Sequence, residues 1–332
     1  MREFRRDPIT GRWVIISSER ANRPYAFMKY PRETDSIDTC PFCWGNESFT
    51  PPEIAAYRLP THPQKDTPGW TIRVIPNKYP ALRVEGEVIK TPDGIYDKIT
   101  GIGAHEVIIE TPQHDKDYHQ LDDKSVEDIF KIFKERILDL KRDIRFEYIL
   151  IFKNCGRQAG ATLSHPHSQL IAMPMIPIII KQELTGAKYY YEYKERCVYC
   201  DIVNEELKTS KRVIFENDDF VAICPYASRF PFEVWILPKR HDNMYEDIKD
   251  TEIKNLANIM KIINRKLNTG LENPPYNYLL HTSPLKDTNL QYYHWHIEIM
   301  PQLSGVGGFE WGTGFYINPI PPEEAAKFLV EI

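Results

Sequence analysis

Hydrophobic positions along this chain follow two periodicities. At helical spacing, Val126, Ile129, Phe130, Phe133, Ile137 and Leu140 share one face of a segment starting near Ser125, with Ser125 and Asp128 spaced as in a capping box. A second face, made by Ile253, Leu256, Met260, Ile263 and Leu267, starts at Asp250 or Thr251 and stops at Gly270. An apolar run of β character follows each helix, Phe146 to Phe152 after the first and Tyr276 to Leu280 after the second. The order helix then strand therefore occurs twice.

Polar positions repeat with it. His105-Glu-Val begins a segment that ends His114-Asp-Lys-Asp-Tyr118, and Phe232-Glu-Val begins one that ends His241-Asp-Asn-Met-Tyr245. After its strand each copy reaches a His-x-His, His165-Pro-His167 and then His294-Trp-His296. His114 and His241 are 127 positions apart, and His165 and His294 are 129 apart. A repeat of that constancy predicts an α+β protein with pseudo-two-fold internal symmetry, each copy an antiparallel sheet with one long helix packed on it. The expected domains are residues 1–180 and 181–332.

Composition narrows the class. The chain has 332 residues, enough for two ordinary domains without disulfides, and 42 Lys and Arg against 47 Asp and Glu leave a net charge of −5. That balance argues against a nucleic-acid or membrane-surface partner, so an anionic ligand needs a local site. The longest uncharged apolar run, Leu170 to Ile180, has 11 residues and two prolines, too short to span a bilayer. The first residues carry no apolar signal core, so a cytoplasmic protein is expected.

In a reducing compartment, paired cysteines favour metal over disulfide. Four of the six cysteines form Cys40-Pro-Phe-Cys43 and Cys197-Val-Tyr-Cys200, both read as loops, while Cys155 and Cys224 stand alone as small apolar residues. Each pair joins two histidines of its copy, giving Cys40, Cys43, His114 and His165, then Cys197, Cys200, His241 and His294. Two Cys₂His₂ sets imply two structural zinc ions, because four protein ligands leave no open position.

The second histidine of each His-x-His is then free. Strand alternation aligns His165, His167 and Gln169 in the first copy and His294, His296 and Glu298 in the second. A Gln169 amide can donate to a phosphate oxygen, whereas an ionised Glu298 repels it. The loop Asn154 to Ser164 is built of small residues whose N–H groups can close around an anion; the second copy has the bulkier Pro284 to Tyr293. The first copy is expected to be catalytic, with His167 as nucleophile at phosphorus and a backbone carbonyl fixing its tautomer.

The arrangement resembles the galactose-1-phosphate uridylyltransferase family of the histidine-triad superfamily over nearly the whole chain. Arg5 to Pro24, Val74-Ile-Pro-Asn-Lys-Tyr-Pro80 and His165-Pro-His-Ser-Gln169 carry the resemblance. It implies two tandem histidine-triad-like domains and a ping-pong reaction of galactose metabolism. His167 attacks UDP-glucose, glucose 1-phosphate leaves, and a hexose 1-phosphate takes the uridylyl group, with Gln169 holding a phosphoryl oxygen. Asn77 matches a ribose contact, and Asn154, Gly160 and Thr162 match phosphate and sugar contacts. Arg20 and Arg23 match arginines that reach the other subunit, implying a homodimer with shared sites. Glu310 aligns with a sugar contact. Two positions depart, Ser168 where the family has a glycine near the phosphates and Tyr316 where a hexose-binding glutamine is expected. Both are similar to the ADP-glucose phosphorylase branch, which transfers AMP to phosphate.

His62, His105 and His119 have no histidine partner in the other copy and read as ordinary. Glu183 reads as a surface residue, His281 as at most a spare ligand, and Tyr189 to Tyr193 as packing or interface. A histidine-triad nucleotide hydrolase and a zinc-bound binding module are the competing classes; the contrast between Gln169 and Glu298 argues against the latter.

Overall fold

The computed structural model describes residues 2–22 and 35–332. Helix Asp123–Leu140 is capped by Asp122, whose side chain accepts from Ser125 N at 2.8 Å, so the cap lies three residues before the expected one and Ser125 sits inside the first turn. Helix Asp250–Gly270 starts and stops as the spacing predicts, with Glu252 reaching back to the Lys249 amide at 2.8 Å. The strands after the helices are Tyr148–Cys155 and Tyr276–His281, each extended one to three residues beyond the expected run at its end.

Ten strands form one antiparallel sheet. Its spatial order is Val213–Glu216, Phe220–Ile223, Val234–Pro238, His296–Pro301, Tyr276–His281, Tyr148–Cys155, His167–Met173, Ala104–Ile109, Trp70–Pro76 and Ala55–Arg58. Five strands come from each copy in mirrored order, and the halves join where Tyr276–His281 pairs with Tyr148–Cys155, Leu280 opposite Ile151. The repeat is thus built as one continuous sheet around a pseudo-two-fold axis.

The two long helices lie together on one face of that sheet. Val126, Ile129, Phe130, Phe133 and Ile137 from one, and Ile253, Leu256, Ile263 and Leu267 from the other, are buried in a single cluster with Ile149, Ile151, Leu280 and Ile297 of the strands. Each fully buried side chain of this kind is worth about 1.5–3 kcal/mol, and Phe130→Ala is expected to cost about 3–5 kcal/mol. Both Cys-x-x-C segments pack on the opposite face, in two smaller clusters. The first is a turn after a short 3-10 helix, as expected of a loop. The second is not a loop, because Cys197 caps helix Val198–Thr209 and Cys200 lies in its first turn. A short sheet, Arg2–Arg6 with Trp13–Ser17, pairs in parallel with Tyr316–Asn318, tying the N-terminal strands to the C-terminal copy. Among the described residues, no helix is long and apolar enough to cross a membrane.

Candidate active site

Strand Tyr148–Cys155 leaves the sheet after Cys155, turns through residues 156–166 and returns as strand His167–Met173. Gly156 and Gly160 hold φ of +86° and +90°, conformations that other residues adopt only with strain, and a Cβ at Gly156 would meet Pro275 at 2.9 Å. Asn277, from the second copy, anchors the loop by donating to Asn154 Oδ1 at 2.9 Å and to the Ala159 carbonyl at 2.7 Å. The loop walls a cleft of about 80 Å³ lined by Asn154, Thr162 and His167, together with residues 114–117 and Asp35.

His167 is 6% exposed, with Phe42 edge-on to its ring at 5.2 Å. Its Nδ1–H donates to the His165 carbonyl at 2.7 Å, the tautomer lock expected from the sequence, which leaves the lone pair on Nε2. Burial outweighs its neighbours and pushes the imidazole below its ordinary value, so the ring is neutral near pH 7. A neutral, tautomer-fixed imidazole in a cleft wall is equipped to attack an electrophile.

Gln169 lies two residues on along the same strand face. Its Oε1 is 2.9 Å from His105 Nε2, which is also 3.1 Å from Asn77 Nδ2. His105 is therefore part of this site and not an ordinary histidine; with phenylalanine at the matching position of the second copy, it gave no signal in the sequence. Ser168 corrects another expectation. It is fully buried on the helix side of the sheet, where its hydroxyl donates to Glu110 at 2.6 Å, so the side chain is not available to a substrate. Glu110 also accepts from Lys153 and from Tyr118 at 2.7 Å, forming a buried polar network behind strand His167–Met173.

Both Cys₂His₂ groups are assembled. In each, the four ligand atoms lie within 4.8 Å of one another, a donor set that can hold a metal ion. His165 Nε2 donates to the Thr111 carbonyl at 2.8 Å and His294 Nε2 to the Pro238 carbonyl at 2.9 Å, turning each Nδ1 toward the cysteines. Burial and the neighbouring Cys40 push the Cys43 thiol up to about 12, so a cation is what would hold this pair as thiolates.

The second copy differs. Glu183 is not on the surface: it is buried, and accepts from His281 Nδ1 and from the Tyr293 hydroxyl, both at 2.9 Å. With His281, His296 and Glu298 it forms a third group of clustered ligand atoms, which the sequence reading did not assemble. Burial opposes charge on Glu298, but Arg229, His281 and His296 outweigh it and hold the carboxyl at about 2. The space here is about 10 Å³, and Tyr199 and Trp235 pack on the His296 ring at 5.2 and 5.4 Å.

Other expected residues lie elsewhere. Gly160 is in the cleft loop, but Arg20, in the 3-10 helix Ser18–Asn22, does not line the cleft, and Arg23 lies outside the described residues. Glu310 caps its own short helix by accepting from Gly307 N at 3.0 Å. Tyr316 packs on Phe230 at 5.4 Å and on Arg12, beside the second copy. Neither joins His167 within one chain. Of the remaining histidines, His119 bonds Asn264 at 2.6 Å; Tyr189 and Tyr193 are about three-quarters exposed on helix Ile178–Lys194.

Residues 1–177 match the family of the N-terminal domain of galactose-1-phosphate uridyl transferase, and residues 183–317 that of its C-terminal domain. ADP-glucose phosphorylase of Arabidopsis thaliana is 41% identical over 99% of this chain and 93% of its own length. Galactose-1-phosphate uridylyltransferase of Thermotoga maritima is 30% identical over 100% of this chain and 98% of its own. Among solved structures, the Arabidopsis ADP-glucose phosphorylase with bound ADP-glucose superposes with a TM-score of 0.85 at 39% identity, covering 100% of this chain and 99% of that one. A uridylyltransferase superposes at 0.78 and 29% identity, covering 100% and 98%.

Proposed function

The chain belongs to the galactose-1-phosphate uridyl transferase family, and we propose that it transfers a nucleotidyl group from a sugar nucleotide through a covalent bond to His167 Nε2. The single observation that carries this reading is the neutral His167, its Nδ1 spent on the His165 carbonyl, in the wall of the cleft. Nε2 attacks the α-phosphorus, the bond to the bridging oxygen breaks, and glucose 1-phosphate leaves. The nucleotidyl-histidine is then attacked by an acceptor oxygen and Nε2 recovers its lone pair. Gln169 and the loop around Asn154, Gly160 and Thr162 hold the phosphoryl oxygens, and Asn77 holds the ribose.

Adenylyl transfer from ADP-glucose to inorganic phosphate is the better-supported specificity. The 41% identity to an ADP-glucose phosphorylase favours it. Uridylyl transfer from UDP-glucose to galactose 1-phosphate is the second reading, favoured by the uridylyltransferase relatives. Zinc suits both Cys₂His₂ groups and, once bound, supplies rigidity. In the first copy His165 is one of its ligands and also accepts the His167 proton through its carbonyl, so the group orients the nucleophile. Arg20, Arg23, Glu310 and Tyr316 serve the cleft of a second copy in a homodimer; those of them that are described lie off the His167 cleft of their own chain. Initial rates measured with ADP-glucose plus phosphate and with UDP-glucose plus galactose 1-phosphate test the assignment. Parallel double-reciprocal lines and faster turnover of the adenylyl pair are expected; faster uridylyl transfer reverses the specificity, and intersecting lines reject the covalent route.

A further inference from the structure

His105 stands between Gln169 and the segment 77–81. Its strand pairs with the nucleophile strand so that His105 faces Ile171 and Val107 faces Gln169, which makes His105 the diagonal neighbour of Gln169 on the cleft face. Hydrogen bonding decides the proton positions. The Ala81 amide lies 3.1 Å from His105 Nδ1 and can only donate, so Nδ1 carries the lone pair and the neutral ring its proton on Nε2. That proton goes to Gln169 Oε1, an acceptor 2.9 Å away. Asn77 Oδ1 accepts from Tyr79 N at 2.8 Å, so its Nδ2 is the end that meets His105; a donor against a donor makes no bond, and the Asn77 amide hydrogens stay available to a ligand.

We infer that His105 is a positioning residue for the transfer: it holds the Gln169 oxygen so that the Gln169 N–H donors face the phosphoryl group on His167. Without it a side-chain amide can turn over and present its oxygen, which repels a phosphoryl oxygen. The Ala81 amide couples this orientation to the segment that carries Asn77. A cleft occupied at its nucleoside end therefore keeps Gln169 in its donating orientation. The inference rests on the proposed transfer and adds a residue to it.

Two measurements test it. Nitrogen-15 NMR of imidazole-labelled protein reads the tautomer without any activity: an Nε2–H ring at His105 is expected, and an Nδ1–H ring overturns the inference. Rapid-quench single turnovers then compare variants. His105→Phe keeps the ring volume but loses the donor, and should slow nucleotidylation of His167 by about 10–100-fold while donor affinity stays within about twofold. His105→Gln, whose amide can donate to the same oxygen, should recover most of the rate. The double variant His105→Phe/Gln169→Ala should be no slower than Gln169→Ala alone, because the two residues act as one unit. Losses that multiply in the double variant, or a His105→Phe rate equal to the unsubstituted protein, overturn the role of His105 and leave the transfer standing. An unsubstituted protein that forms no covalent intermediate with either donor overturns the transfer and this inference with it.

Discussion

The two His-x-His regions are built on one plan and end differently. In both, the first histidine donates Nε2–H to a carbonyl, and the second donates Nδ1–H to the carbonyl of the first, at 2.7 Å for His167 and 3.1 Å for His296. What stands in front of the second ring separates them. His167 faces about 80 Å³ bounded by a small-residue loop, whereas His296 has about 10 Å³, with Tyr199, Trp235 and His281 packed on it. Two residues on, Gln169 is a neutral amide and Glu298 an ion paired with Arg229. The scaffold therefore prepares an imidazole in both copies, and the covering residues decide which one can meet a substrate.

Substituting the two histidines is the harshest way to break that comparison. His167→Ala should lower turnover by about 10⁴-fold or more, the scale on which nucleophile removal acts, while His296→Ala should retain turnover within about tenfold. Steady-state product assays decide it; comparable losses would make the second region a working site.

Arg229 tests what fills the second region. Arg229→Met leaves Glu233 and Glu298 buried without their cation and should cost about 3–5 kcal/mol in urea unfolding. Adding Glu298→Gln should recover part of the loss. No change in stability would mean that another cation balances the cluster.

Ser168 sharpens the contrast on the first side. Ser168→Gly removes the hydrogen bond to Glu110 and should cost about 1–3 kcal/mol with the KM for the sugar nucleotide unchanged. A raised KM at full stability would place the serine against substrate after all.

The smallest effect belongs to the helix under the first copy. Asp122→Ala should cost about 1 kcal/mol. The Ser125 amide holds the Asp122 carboxyl below its ordinary range, so its stabilisation is full above the unfolded carboxylate value and is lost as pH falls through the lower folded value. Acid titration of the stability difference between the two proteins should therefore shrink it toward zero; a difference that persists in acid assigns the loss to something other than the cap.

Much of this was legible in the residues. The repeat, both helices and both Cys₂His₂ groups followed from spacing, because ligands and apolar faces sit at offsets that the fold must preserve. The alternation that aligns His167 with Gln169 also turns Ser168 to the other face, so its nearness to His167 in sequence did not mean a place in the cleft. His105 with Gln169, Glu183 with His281 and Asn277 with Asn154 lie 64, 98 and 123 positions apart. Nothing periodic links them: strand pairing brings the first and third together, and helix Ile178–Lys194 carries Glu183 to strand Tyr276–His281. The helical setting of Cys197 was obscured because the charged run before it reads like a loop, yet it includes the end of helix Ile178–Lys194.

The central claim is a nucleotidyl bond on one histidine. Intact-protein and peptide mass spectrometry after brief exposure to ADP-glucose without phosphate should find one adenylyl group per chain, on the peptide carrying His167, and inorganic phosphate should remove it. An adduct on His296, or turnover with no adduct from either sugar nucleotide, would contradict the account.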